Sequence, residues 1–166
     1  MKKLTFNSSN ETATAALGAA IAKVTPPGTM IALEGPLGAG KTRLVQAIAA
    51  ASGVAAGIAV SPTFVLVQEY LGTRPIVHVD AYRMRDEDEF LALGAEEYLA
   101  SDALLLVEWA GRVEACLPAD RLQIVIDETG AASRSFSITA LGPRSESILD
   151  LLAMELPKKS TAVGED

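Results

Sequence analysis

Cysteine is nearly missing from this chain of 166 residues. Cys116 stands alone, so no internal disulfide can form, and a reducing, cytoplasmic setting fits. With no histidine beside it and a short helix expected over 113–117, it reads as a buried structural thiol rather than a nucleophile. Aromatic residues are scarce at 5%, whereas hydrophobic residues reach 49%, so the core must be built from Ala, Val, Leu and Ile. Positive charge is also short: 14 Lys and Arg face 21 Asp and Glu, a formal net charge of −7. That balance argues against nucleic-acid binding by this chain alone, because such affinity comes mainly from basic side chains neutralising phosphates. Long apolar runs are absent as well. After Met1-Lys2-Lys3, the stretch Leu4-Thr5-Phe6 gives way at once to Asn7-Ser8-Ser9-Asn10, and neither a signal peptide nor a membrane span is read.

What is present is a phosphate-binding loop. Gly35-Pro36-Leu37-Gly38-Ala39-Gly40-Lys41-Thr42 fits G-x-x-x-x-G-K-[ST]. The glycines let successive backbone N–H groups turn toward phosphate oxygens. Lys41 supplies a compact positive charge for the β- and γ-phosphates, and Thr42 a hydroxyl for Mg²⁺. The context agrees. Met30 to Glu34 reads as a short buried strand, and Arg43 to Ala51 as a helix with Leu44, Val45, Ile48 and Ala49 at helical spacing. That helix directs the positive end of its dipole at the anion.

Length and patterning predict one α/β domain over 1–156 with a P-loop NTPase fold. Its central sheet should be mixed but largely parallel and flanked by helices, with an antiparallel strand pair toward the C-terminus. Ser8-x-x-Glu11 has the form of a capping box before a helix that Pro26-Pro27-Gly28 stops. Phe64–Tyr70 and Ile76–Asp80 read as a hairpin, and Asp86 to about Tyr98 as a helix with an acidic first turn. The apolar run Ala103–Val107 suits a strand buried on both faces. Leu122–Ile126 and Phe136–Thr139 form the antiparallel pair, Ser145–Leu156 a last helix, and 157–166 a disordered tail.

Three strands end in an acid: Glu34, Asp80 and Glu108. In open α/β sheets, ligands bind outside the carboxyl ends of the strands. Glu34 adjoins the loop and reads as a local structural partner. Glu108 follows the most hydrophobic strand and is the expected second Mg²⁺ ligand beside Thr42. Strand alternation sets Ile76, His78 and Asp80 on one face, with His78 read as a satisfied, partly buried histidine and Asp80, like Glu108, as functional. Ser61-Pro62-Thr63 could act as a switch, a loop hydroxyl sensing the γ-phosphate. Trp109, the only tryptophan, should lie beside the site.

The P-loop, Ser61-Pro62-Thr63-Phe64, His78-Val79-Asp80-Ala81-Tyr82-Arg83 and Val107-Glu108-Trp109 occur in this order. Together they resemble the TsaE (YjeE) family of bacterial P-loop ATPases, from the N-terminal helix to about Leu156. The resemblance implies an ATPase that uses ATP and Mg²⁺ and acts with TsaD and TsaB. The product is threonylcarbamoyladenosine at adenosine 37 of tRNAs reading codons that begin with A. TsaD performs the transfer in that scheme, and tRNA is reached mainly through the complex. The family pattern implies Thr42 and Glu108 as metal ligands, and a catalytic group of Lys41, Asp80, Glu108 and Thr63. It adds Glu11, Thr12, Arg43, Trp109 and Arg134 to the nucleotide contacts of residues 35–42.

Two other classes use the same loop. A small-molecule or nucleoside kinase would use Asp80 or Glu108 as base and Arg83, Arg85 or Arg112 as phosphate clamps, but no arginine-rich lid insertion is visible. A GTPase-type switch would need an N-K-x-D-like guanine reader after the loop. The only two asparagines, Asn7 and Asn10, precede it, which favours ATP.

Overall fold

The computed structural model describes residues 1–59, 66–158 and 161–165. Its centre is β2 (Met30–Glu34), a five-residue strand with one side chain in two turned to each face. Ile31 and Leu33 enter one apolar cluster, and Met30 and Ala32 enter the other. β5 (Leu104–Glu108) repeats the pattern, with Leu104 and Leu106 on the first side and Leu105 and Val107 on the second. Both strands are therefore apolar up to the acid that ends each, as suits a parallel strand covered on both faces.

β5 and β6 (Leu122–Glu128) flank β2 in parallel, and β4 (Pro75–Asp80) lies parallel to β5. β7 (Arg134–Ala140) returns antiparallel to β6, the strand pair expected from the sequence. β3 (Val67–Leu71) pairs antiparallel with β4, as the expected hairpin. The start of that strand as read from sequence, Phe64 and Val65, lies outside the described residues. β1 (Lys2–Ser8) and β8 (Thr161–Glu165) complete an eight-stranded sheet in the order β3-β4-β5-β2-β6-β7-β1-β8. The mixed α/β fold with a parallel centre is thus as expected, widened by antiparallel strands at both ends.

The first face is covered by α1 (Glu11–Val24), α2 (Lys41–Ala51) and α5 (Pro143–Glu155), through Leu17, Ile21, Leu44, Ile48, Ile148 and Leu152. α1 and α2 touch closely at Gly18, where an added Cβ would lie 2.4 Å from the Ala47 Cβ. The second face carries α3 (Glu87–Ala92), α4 (Ala95–Ala100) and a 3₁₀ helix (Ala110–Cys116), anchored by Phe90, Ala95 and Val113.

Three expectations are corrected and one strand is added. The cap of α1 is Asn10, whose side chain accepts from the Ala13 amide at 2.9 Å. Ser8 instead ends β1 and bonds Thr14 Oγ1 at 2.8 Å. The single helix expected from Asp86 is two, divided where Gly94 takes φ +83°. β1 was not read as a strand, because only Leu4 and Phe6 mark its buried face with apolar side chains. Finally, the segment expected as a disordered tail supplies β8, since β1 would otherwise leave an unpaired edge for it to cover.

Candidate functional site

The loop between β2 and α2 crosses the carboxyl end of the sheet. Gly35, Gly38 and Gly40 take φ of +146°, +81° and +111°, a region where a side chain is strained. At Gly35 space is also closed, because a Cβ would fall 2.5 Å from the Ile126 carbonyl oxygen. The curled loop holds its own lysine: Lys41 Nζ donates to the carbonyls of Gly35 at 2.6 Å and Pro36 at 3.0 Å. Burial pushes the Lys41 ammonium below its ordinary value, while Glu108, Glu34 and Asp80 pull it back. The same ammonium lies 4.0 Å from the centre of the Trp109 ring, a cation–π distance. Trp109 reaches that place from a left-handed backbone, φ 56°, the only such residue besides glycine among those described. Its ring packs on Tyr82 at 4.9 Å, and Arg112 lies over the other aromatic ring at 5.6 Å.

Strand parity sorts the three acids. Glu34 shares the face of Met30 and Ala32, and its carboxylate accepts from the Gly111 amide of the 3₁₀ helix. It is the local structural partner expected. Glu108 shares the face of Leu104 and Leu106, under α2, and accepts from Thr42 Oγ1 at 2.8 Å. Asp80 is the direct neighbour of Glu108 in the β4–β5 register and accepts from the Tyr82 amide at 2.9 Å. Burial raises the Asp80 carboxyl above its ordinary value; the Tyr82 hydrogen bond opposes this and Glu108 adds to it. His78 is fully buried on the same face and contacts Glu108 Oε1 at 2.8 Å through Nε2.

Lys41, Thr42, Asp80, Tyr82, Glu108 and Trp109 line a cavity of about 880 Å³. Of the residues predicted from sequence, Glu11, Leu37 through Arg43, Asp80, Glu108, Trp109 and Arg134 border it. Gly35 and Pro36 form the base of the loop behind it, and Thr12 is exposed outside it. Thr63, with Ser61 and Pro62, lies outside the described residues. Glu11 and Arg43 pair with each other at 3.1 Å. Arg134 has all three guanidinium nitrogens engaged: Nε with the Ala39 carbonyl at 2.9 Å, Nη1 with Gly130 and Ser133, and Nη2 with Glu128. It braces the P-loop against the β6–β7 hairpin. The cavity also takes in residues the sequence reading did not place there. Tyr82 and Arg83 stood in the recognised His78–Arg83 motif, so a signal existed, and Arg83 has a site role only as a phosphate clamp in the kinase reading. Thr14, Gln46, Ala131, Ala132 and Phe136 belong to no motif that would have marked them.

The hydroxyl of Thr42 and the carboxylate of Glu108 converge as hard oxygen donors, which suits Mg²⁺ with its remaining positions filled by phosphate and water. Among the described residues no group of three His, Cys, Asp or Glu forms a fuller metal cage.

A glycine loop between a central parallel strand and the helix that follows it places the chain among P-loop α/β proteins. The match is closer than class. The model for "Threonylcarbamoyl adenosine biosynthesis protein TsaE" matches residues 8–136, and the chain belongs to that family. It is 41% identical to the Bacillus subtilis tRNA threonylcarbamoyladenosine biosynthesis protein TsaE, over 92% of this chain and 96% of the relative. The Streptomyces coelicolor protein of the same name is also 41% identical, over 77% and 90%. The crystal structure of YdiB from Bacillus subtilis superposes with a TM-score of 0.80 at 35% identity, over 93% of this chain and 97% of that one.

Proposed function

We propose that the chain binds and hydrolyses ATP with Mg²⁺ in the cytoplasm. It does so with TsaD and TsaB, in forming threonylcarbamoyladenosine at adenosine 37 of tRNAs reading codons that begin with A. The observation that carries the ATPase reading is the 2.8 Å contact between Thr42 Oγ1 and Glu108 Oε1 at the mouth of the P-loop. It joins a phosphate-binding element to a carboxylate from the neighbouring parallel strand. The names of the relatives support the tRNA-modification role.

Backbone N–H groups of the loop and the N-terminus of α2 bind the phosphates. Lys41 leaves the Gly35 and Pro36 carbonyls for the β- and γ-phosphates. Thr42 and Glu108 hold Mg²⁺, which when bound neutralises charge on the phosphate oxygens. Asp80 orients the attacking water, and Thr63 is assigned the switch. Glu11 and Thr12 are assigned to the nucleoside end, Arg43 and Trp109 to contacts beside the phosphates, and Arg134, which braces the loop, borders the same cavity. Transfer of the γ-phosphoryl group to water depends on positioning and charge, and a partner that completes the site would accelerate it. A formal charge of −7 suits a subunit that leaves tRNA binding to its partners.

The test is ATP hydrolysis by the purified protein, alone and with TsaB and TsaD, while threonylcarbamoyladenosine is scored on tRNA. Stimulated turnover together with repeated rounds of modification is expected. Lys41→Ala should lower turnover by about 10²–10³-fold with the thermal melt unchanged. A folded, fully active Lys41→Ala protein would sink the ATPase reading. Absence of any effect on modification would sink the tRNA role.

A further inference from the structure

A hydrogen-bonded chain runs behind Glu108 and across three adjacent strands. His78 on β4 contacts Glu108 Oε1 with Nε2 at 2.8 Å. Its other nitrogen, Nδ1, lies 3.0 Å from the Tyr70 hydroxyl on β3, and that hydroxyl lies 2.6 Å from Gln68 Oε1. Gln68 is the register partner of His78. The members are deeply buried: His78 is 0%, Glu108 3% and Tyr70 4% exposed. The β3–β4 hairpin follows directly on the segment read as the switch.

Glu108 Oε1 accepts from two donors, Thr42 and His78. They differ in how they stand toward a cation. Thr42 would meet the metal through an oxygen lone pair, and its O–H can go on donating to Glu108. His78 sits behind the carboxylate and need not move. A carboxylate oxygen only accepts, so Nε2 is the nitrogen that donates, and Tyr70 faces the other ring edge and fixes the ring's rotation. Without such a donor, the terminal torsion of a glutamate is broad.

We propose that His78 is a positioning residue: it aims the Glu108 carboxylate at the metal position, and Tyr70 holds His78 in the orientation this requires. The inference rests on the metal-dependent nucleotide binding proposed above. A hydrogen-bond partner of a metal ligand typically controls affinity by 10–100-fold when removed.

The test uses the full chain and Mn²⁺ as the probe, its uptake in the presence of ADP followed by electron paramagnetic resonance. His78→Asn puts its amide near the place of Nδ1 and removes the donor behind Glu108, leaving only Thr42. His78→Gln puts an amide nitrogen near the place of Nε2 and restores the donor. His78→Asn should weaken Mn²⁺ binding by about 10–100-fold. His78→Gln should stay close to wild type, and Tyr70→Phe should fall between the two. ADP binding in EDTA should be equal in all four proteins, which also shows that each is folded. A His78→Asn protein that binds Mn²⁺ as wild type does, or a His78→Gln protein as weak as His78→Asn, overturns the inference alone. Wild-type protein that takes up no Mn²⁺ beside ADP overturns the metal reading and this inference together.

Discussion

Lys41 is held by the carbonyls of its own loop, and it rests 4.0 Å from the centre of the Trp109 ring. A phosphate must draw the ammonium off both. A buried lysine bonded only to neutral carbonyls gains more from an arriving anion than a solvated one, because less water is displaced in the exchange. The unusual backbone of Trp109, φ 56°, costs of order 1–3 kcal/mol and persists only where its surroundings impose it. Here the Trp109 amide donates to Leu33 at 2.9 Å and the ring lies between Lys41 and Tyr82. With a single tryptophan in the chain, emission is unambiguous. ADP should therefore shift Trp109 emission as the cation leaves the ring face, and Lys41→Ala should alter the starting spectrum and remove most of the shift. A fluorescence titration checks this against ADP binding measured by dialysis. Binding with no spectral change in wild type would mean that Lys41 stays on the ring.

Asn10 and Asp86 cap α1 and α3 from within, whereas α5 takes its cap from elsewhere in the chain. α5 begins at Pro143, but its first amides are met by Asp120 from the turn before β6: Oδ2 accepts from Arg144 N at 2.8 Å and Oδ1 from Ser145 N at 2.9 Å. Gly142 leaves room for this, since a Cβ there would lie 2.4 Å from the Asp120 Cγ. Burial acts to raise the Asp120 carboxyl, yet the hydrogen bonds from Ser145 and Arg144 outweigh it and hold the group below its ordinary value. A lowered carboxyl stabilises the fold above the unfolded-state value, and the gain is lost as pH falls through the folded one. Asp120→Ala should thus cost about 0.5–2 kcal/mol near neutral pH, with the difference from wild type shrinking in acid. Paired denaturant melts at neutral and acidic pH check this. A constant difference across pH would mean that packing, not the charge-assisted cap, is responsible. The same feature shows where sequence reading stops. The P-loop, β2, β5 and the β6–β7 pair were legible because each carries its signal locally, in glycine spacing or in apolar runs. Glu34 could be separated from Glu108 by counting parity along each strand. The cap of α5, the contact of His78 with Glu108 and the bracing by Arg134 join residues from different elements. No local pattern encodes them.

Across the whole molecule, the strand order places site and edge far apart. Lys41, Thr42, Asp80 and Glu108 gather at β4, β5, β2 and α2, whereas β6, β7 and β1 separate β2 from β8. The family match ends at residue 136, so α5 and β8 lie beyond it. β8 pairs with β1, and no residue of β8 is among the described residues that line the cavity. Residues 157–166 carry two lysines, one glutamate and one aspartate, so removing them leaves the net charge unchanged. Leu156, buried against the core just before the cut, stays in place. Ending the chain at Leu156 should leave ADP affinity and Trp109 emission as in the full protein. The melt should fall modestly, at roughly 2–4 °C per kcal/mol lost for a chain of this size. Lys2 and Lys3 on the newly opened β1 edge should limit pairing between copies, because charged side chains blunt an exposed strand. Calorimetry, ADP titration and light scattering on the shortened chain examine the three expectations separately. An intact melt would mean that β8 adds no stability in solution. A loss of ADP affinity with the fold preserved would mean that the sheet transmits the state of its far edge to the P-loop, against the separation that the strand order implies.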